Sequence, residues 1–158
     1  MVDPKIVSCL AVAVFAALST YSVTIAAAEE TKQEEMASLV LSWEDMDVRK
    51  SRNGYRRRVF RSPTTTLEEL EMHITTLNPG IQNHPLHKHA NEEMFIIKEG
   101  IGEVLFEGGS VRVGPGSVYF QKSNELHAFR NVGDVPITYY VISYVSEKTL
   151  ALKAQSEK

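Results

Sequence analysis

Residues 80–100, GIQNHPLHKHANEEMFIIKEG, place two histidines at i and i+2 and a carboxylate four residues after the second. Side chains alternate faces along an extended strand, so His87, His89 and Glu93 share one parity and can converge on one side of a sheet. Three such groups meeting on one face make a metal cup. A fourth ligand is available at His127, which opens the run HAFRN after a second glycine-punctuated apolar stretch. Imidazole nitrogens with one carboxylate oxygen suit borderline divalent transition ions, whereas calcium and magnesium prefer all-oxygen sites. Thiolate ligation is excluded, because the only cysteine is Cys9, near the N-terminus.

The same residues carry a family resemblance. The first block is similar to cupin motif 1: Gly80, six residues, His87-x-His89, three residues, Glu93, six residues, Gly100. Its first spacer is one residue longer than the usual five. The second block, Gly116, five residues, Lys122-Ser123-Asn124, two residues, His127, three residues, Asn131, resembles cupin motif 2. Lys122 stands where that motif has proline, and Asn124 where it has glycine. Asparagine tolerates the left-handed backbone best after glycine, so the turn can still form, while loss of proline leaves φ less fixed. The resemblance covers residues 38–145 and implies an all-β, single-domain cupin barrel, a double-stranded β-helix of jelly-roll type.

The rest of the chain agrees with a sheet protein. Its 158 residues, 43% hydrophobic and 23% charged, suit one globular domain. Leu70, Met72 and Ile74 alternate with Glu69, Glu71, His73 and Thr75, the period of a half-buried strand. Further short strands are expected over 38–43, 93–98, 102–107, 110–113, 117–121, 126–131 and 137–145. Between them stand the breakers Asn78-Pro79-Gly80, Gly100, Gly108-Gly109, Gly114-Pro115-Gly116 and Gly133-Asp134. Residues 146–158 read as a tail with a helical turn or two.

Residues 6–28 carry no charge, follow Lys5, and end in Ala26-Ala27-Ala28 before Glu29-Glu30. This is the pattern of a secretory signal cleaved after Ala28, with an uncleaved membrane anchor as the rival. Residues 29–37 then form a polar leader, and the mature protein is expected in the periplasm or secreted, free of the membrane. Losing Asp3 and Lys5 together leaves the net charge at −3, which gives no case for nucleic acid. Seven basic residues and no acid fall between Arg49 and Arg61. A solvated hairpin around Asn53-Gly54 explains them, with recruitment of an anionic substrate as the alternative.

Four of the five histidines, His84, His87, His89 and His127, lie in or beside the two blocks. The ligand set is therefore His87, His89, Glu93 and His127 around one divalent transition ion, manganese or iron first, with zinc, nickel or cobalt also accommodated. Glu93 doubles as general base. His84 is assigned a supporting or exposed place, and His73 either solvent or cavity. Strand parity puts Phe95 and Ile97 on the face of Glu93 and Phe129 on that of His127, so these three are expected to line the substrate cavity. The resemblance implies a metal-dependent enzyme acting on a small oxygenated molecule, a dioxygenase or a sugar or keto-acid isomerase or lyase; a non-catalytic cupin in which the metal anchors a bound small molecule is the alternative. Pairing of edge strands, common in the family, implies a homodimer.

Overall fold

The computed structural model describes residues 33–156. The expected export segment and the first four residues of the leader lie outside these residues. Among the described residues, no helix is long and apolar enough to cross a membrane.

Among the described residues nine strands follow one another in the order that the turn residues dictate: β1 (Asp47–Ser51), β2 (Gly54–Ser62), β3 (Glu69–Leu77), β4 (Glu92–Glu99), β5 (Gly102–Phe106), β6 (Gly109–Val113), β7 (Val118–Gln121), β8 (His127–Asn131) and β9 (Ile137–Val145). Among the described residues one α-helix, α1 (Glu147–Ser156), follows β9 and is longer than the expected turn or two. All pairings are antiparallel. One sheet has the order β1-β2-β3-β9-β4-β7 and the other β6-β5-β8.

Register fixes which side chains share the concave face of the larger sheet. Gln121, Glu93, Ser143 and Glu71 form one cross-strand row, Tyr119, Phe95, Val141 and His73 the next, and Ile97, Tyr139, Thr75, Arg56 and Arg49 a third. The two sheets close over Leu77, Phe95, Ile97, Val104, Phe129, Ile137, Tyr139 and Val141. Burial of each such side chain contributes roughly 1.5–3 kcal/mol. Gly102 makes this packing possible, since a Cβ there would stand 2.5 Å from the Phe129 ring. Gly54 closes the β1–β2 hairpin at φ +136°, where a Cβ would stand 2.0 Å from the Thr76 carbonyl oxygen.

Residues 38–42, expected to begin a strand, have no regular structure and run into a 3-10 turn at Trp43–Asp45. They find no partner strand. Instead the Trp43 ring lies between two cations of the larger sheet, 4.5 Å from the Arg57 guanidinium and 4.1 Å from Lys98 Nζ. The preceding residues are tied to the β2–β3 connection by Met36 N–H donating to Pro63 O at 2.8 Å.

Candidate metal centre

His87 and His89 do not lie on a strand. Residues 83–91 are irregular, with an isolated bridge that joins His87 to His127: each backbone N–H donates to the other's carbonyl, at 3.1 and 2.9 Å. Asn83 N–H to Phe129 O and Asn131 N–H to Ile81 O, both 2.9 Å, hold the same segment along β8. Convergence of the histidines thus comes from a loop laid against β8, and Glu93 joins them from β4. The expectation that all three share one strand is corrected. Pro85 cannot donate to a ladder, and the chain must cross from one sheet to the other within this segment.

The three imidazoles of His87, His89 and His127 bring one nitrogen each to within 4.8 Å of the others. Each Nδ1 faces a backbone carbonyl: His87 that of His127 at 3.2 Å, His89 that of Asn91 at 3.0 Å, and His127 that of Glu125 at 3.0 Å. A carbonyl only accepts, so Nδ1 carries the proton and the Nε2 lone pair is left for a ligand. His127 is 2% exposed, and its Nε2 has no hydrogen-bond partner. A buried orphan of this kind needs explanation, and a cation supplies one. Glu93 Oε2 approaches His89 Nε2 at 3.7 Å and His127 Nε2 at 3.9 Å but is not a member of the three-nitrogen group. The donor set fits a divalent transition ion.

Electrostatics separate the members. The Glu93 carboxylate beside it holds His89 above the ordinary imidazole range. Burial holds His127 below that range, against the pull of the Glu125 carbonyl. Burial also acts to raise Glu93, yet His89, with the charges of His127 and His73, outweighs it and leaves this carboxyl below its usual range. Glu93 is therefore ionised at neutral pH.

The turn before His127 works without proline or glycine. Asn124 takes the left-handed conformation at φ +60°, and its N–H donates to His89 O at 2.8 Å. Gln121, 1% exposed, donates from Nε2 to the carbonyls of Lys122 (2.7 Å) and Glu125 (3.0 Å) and accepts at Oε1 from the Tyr119 hydroxyl. The Glu125 carbonyl is the one that receives the His127 proton, so Gln121 positions that ring. Asn131 saturates itself on Leu77 O, Val135 O and Gly133 N–H, and locks the far end of β8.

A cavity of about 500 Å³ opens beside the histidines. Phe95 lines it, together with His84, His87, His89 and Glu93. Ile97 and Phe129, 2% and 1% exposed, pack in the core beneath and stand outside its lining. His84 stacks edge-on against His87 at a centroid distance of 3.8 Å. The opposite wall holds Arg56, Glu71, His73, Thr75 and Tyr139; of these the sequence offered a cavity place for His73 and anion recruitment for the segment with Arg56, each as one of two alternatives, and left the others without a site role. Arg56 Nη2 stands 2.5 Å from Glu71 Oε1 and 2.7 Å from His73 Nδ1, which is itself 3.2 Å from Glu71 Oε1. A guanidinium only donates and a carboxylate only accepts, so His73 Nδ1 serves one or the other. Glu71 lies below its usual range, with His73 the largest cause and Arg56 and Arg61 assisting against burial.

This barrel, with an imidazole cluster at one end of a two-sheet core, has solved counterparts. The fold is a cupin fold. Residues 73–143 match the family model described as Cupin domain, a span that contains all four proposed ligands. An RmlC-like cupin from Shewanella frigidimarina aligns over 75% of this chain and 98% of its own, at 14% identity and a TM-score of 0.56. A predicted oxalate decarboxylase from Thermotoga maritima aligns over 68% and 99%, at 20% identity and 0.56. A sugar phosphate isomerase of the cupin superfamily from Silicibacter pomeroyi aligns over 68% and 76%, at 17% and 0.55. At these identities the likeness is one of cupin fold alone. No curated protein matches the chain by sequence.

Proposed function

We propose that this protein is an exported, metal-dependent cupin enzyme that acts by proton transfer on a small oxygenated organic molecule, as an isomerase or lyase of sugar-acid or keto-acid type. The buried, unpartnered His127 Nε2 facing two further imidazoles carries the metal assignment. His87, His89 and His127, with Glu93 beside them, would hold one divalent ion, manganese or iron first, which when bound polarises a substrate carbonyl or enolate oxygen. The chain's own groups do the rest. Ionised Glu93 accepts a proton from substrate carbon. His73, within reach of both Arg56 and Glu71, exchanges one on the opposite wall. Phe95, Val141 and Tyr139 displace water from the cavity's apolar side.

The polar far wall favours proton transfer over dioxygen insertion, because the latter asks nothing of Arg56, Glu71 or His73. Structural counterparts named as a sugar phosphate isomerase and a predicted oxalate decarboxylase are in keeping with that choice. Dioxygenase chemistry is the second reading, favoured by the apolar Phe95–Val141 side. Delivery outside the cytoplasm by cleavage after Ala28 and assembly as a homodimer belong to the same proposal.

The test is to purify the full-length expressed protein, determine its N-terminus, mass and metal content, and screen sugar acids, keto acids and flavonols with and without oxygen. Turnover under argon is the expected result. Oxygen uptake would move the assignment to the second reading, and ligand binding without turnover by metal-replete protein would defeat the enzyme reading.

A further inference from the structure

Three of the seven bases on the first hairpin, Arg49, Lys50 and Arg56, line the cavity. Arg49 and Arg56 are directly opposed across β1 and β2, so their side chains leave the sheet on one face. That row continues through Thr75 and Tyr139 to Ile97, the face that looks into the cup. Like charges opposed on neighbouring strands repel. Arg56 is partly neutralised by Glu71. Arg49 meets only the exposed Asp47, at 3.9 Å, and among the described residues Lys50 makes no ion pair. The other cavity carboxylate, Glu93, is turned to His89 and His127. A surplus of positive charge at a concave mouth attracts anions and gains strength from the low-dielectric walls.

We propose that Arg49 and Arg56 receive the anionic group of the substrate, which makes that substrate a small organic oxyanion whose oxygenated far end reaches the imidazole cluster. This inference rests on the reading of the cavity as the substrate site. Carboxylate and phosphate each present a pair of anionic oxygens that a guanidinium fork engages together. β2 lies three strand spacings from β4, about 14 Å along the wall, so a short acid bridges the two walls once arginine's reach is taken off. Glu71 is then the substrate's competitor for Arg56.

Three probes with one carbon skeleton isolate the charge: glycerate, glycerol phosphate and neutral glycerol. Calorimetric titration of the full-chain protein is expected to show both anions binding at least about tenfold tighter than glycerol at low ionic strength, with the advantage shrinking as salt is added. Arg56→Gln removes most of that advantage, Arg49→Gln part of it, and Arg52→Gln, at the hairpin tip outside the cavity lining, none. Glu71→Gln moves the other way and tightens both anions. A tighter carboxylate or a tighter phosphate identifies the source of the charge, and either upholds the site. Circular dichroism checks folding, and the exposed position of Arg49 on an edge strand keeps its variant informative if Arg56→Gln misfolds.

The same titrations are run on metal-stripped protein. An anion preference that survives in protein unable to take up metal upholds this inference while the metal reading falls. A preference that vanishes on stripping and ignores both arginine substitutions places the anion on the imidazole cluster, which overturns the inference and leaves the metal reading standing. Equal binding of glycerate and glycerol also overturns it.

Discussion

The two walls of the cavity are built on different principles. On the β4–β8 side every proposed histidine ligand is braced by main chain: three Nδ1 atoms face carbonyls, His87 and His127 are bridged backbone to backbone, and the Asn124 amide holds the carbonyl of His89. On the β2–β3 side Arg56, Glu71 and His73 hold one another only through side chains, and the Arg56 side chain is 51% exposed. Main-chain bracing fixes donors within a narrow geometry, which suits an ion; side-chain pairing allows exchange of partners, which suits a substrate that comes and goes. Damage should therefore be severe and metal-specific on the first wall, and mild and ligand-specific on the second.

The largest effect belongs to His127→Ala. Metal affinity is expected to fall by more than about a hundredfold, and the stabilisation that a saturating ion gives the native protein, about 2.7 kcal/mol at a hundred times Kd, disappears with it. Titration of the stripped variant with manganese and zinc, followed by melting, reads both. A variant that still melts higher with metal would remove His127 from the ligand set and with it the contrast between walls.

Next in size is Gln121→Leu, at a residue whose side chain is hydrogen-bonded to no proposed ligand side chain. It releases the Glu125 carbonyl that fixes the His127 ring, so metal affinity should drop about ten- to a hundredfold, the usual effect of losing such a support. Arg56→Gln, on the other wall, should leave metal affinity unchanged. Equal loss in the two variants would show that the walls are one unit.

Acid sharpens the comparison further. Protons compete with metal for Nε2, and His89, held above the ordinary imidazole value of 6.5 by Glu93, keeps its proton at higher pH than His127, which burial holds lower. Metal affinity should thus begin to weaken above pH 6.5 as the solution is acidified, with His89 responsible first. Glu93→Gln lowers affinity outright but shifts that onset to lower pH, because the group that raises His89 is gone. An onset unmoved in the variant would refute the assigned cause. On the arginine wall the guanidinium charges do not change over this range.

What could be read from the sequence follows the same division. The spacing of His87, His89, Glu93, His127 and Asn131 and the turn residues between strands carried the barrel and the first wall, because main-chain bracing leaves its mark as fixed intervals. Arg56, Glu71 and His73 come from two strands that meet only on folding, so no local interval marks them. The alternation in β3 was visible, but not which of its faces is inside. The chain inverts the simple rule: polar Glu71, His73 and Thr75 face the cavity, while Ile74, 2% exposed, sits on the outer face opposite Arg57, where the Trp43 segment crosses. A polar cavity within the barrel and an outer strap over the sheet together make the apolar side the outward one. Phe129 and Ile97 show the converse: parity rightly pointed them inward, but depth places them under the cup and not on its surface.

The smallest effect tests how the first wall reaches His89 through a turn that lacks glycine. At φ +60° a β-branched residue meets its own carbonyl, so Asn124→Val should destabilise the protein by about 1–2 kcal/mol in urea denaturation. Asn124→Gly removes the remaining steric cost but adds freedom to the unfolded chain, and the two nearly offset to within about 1 kcal/mol. Neither substitution deletes the amide that donates to His89 O, so metal affinity should follow the backbone and not the side chain: kept in the glycine variant, weakened in the valine variant by less than in Gln121→Leu. If valine is tolerated at full stability, the left-handed turn is not what holds the His89 carbonyl, and bracing of that histidine must come from Asn91 alone.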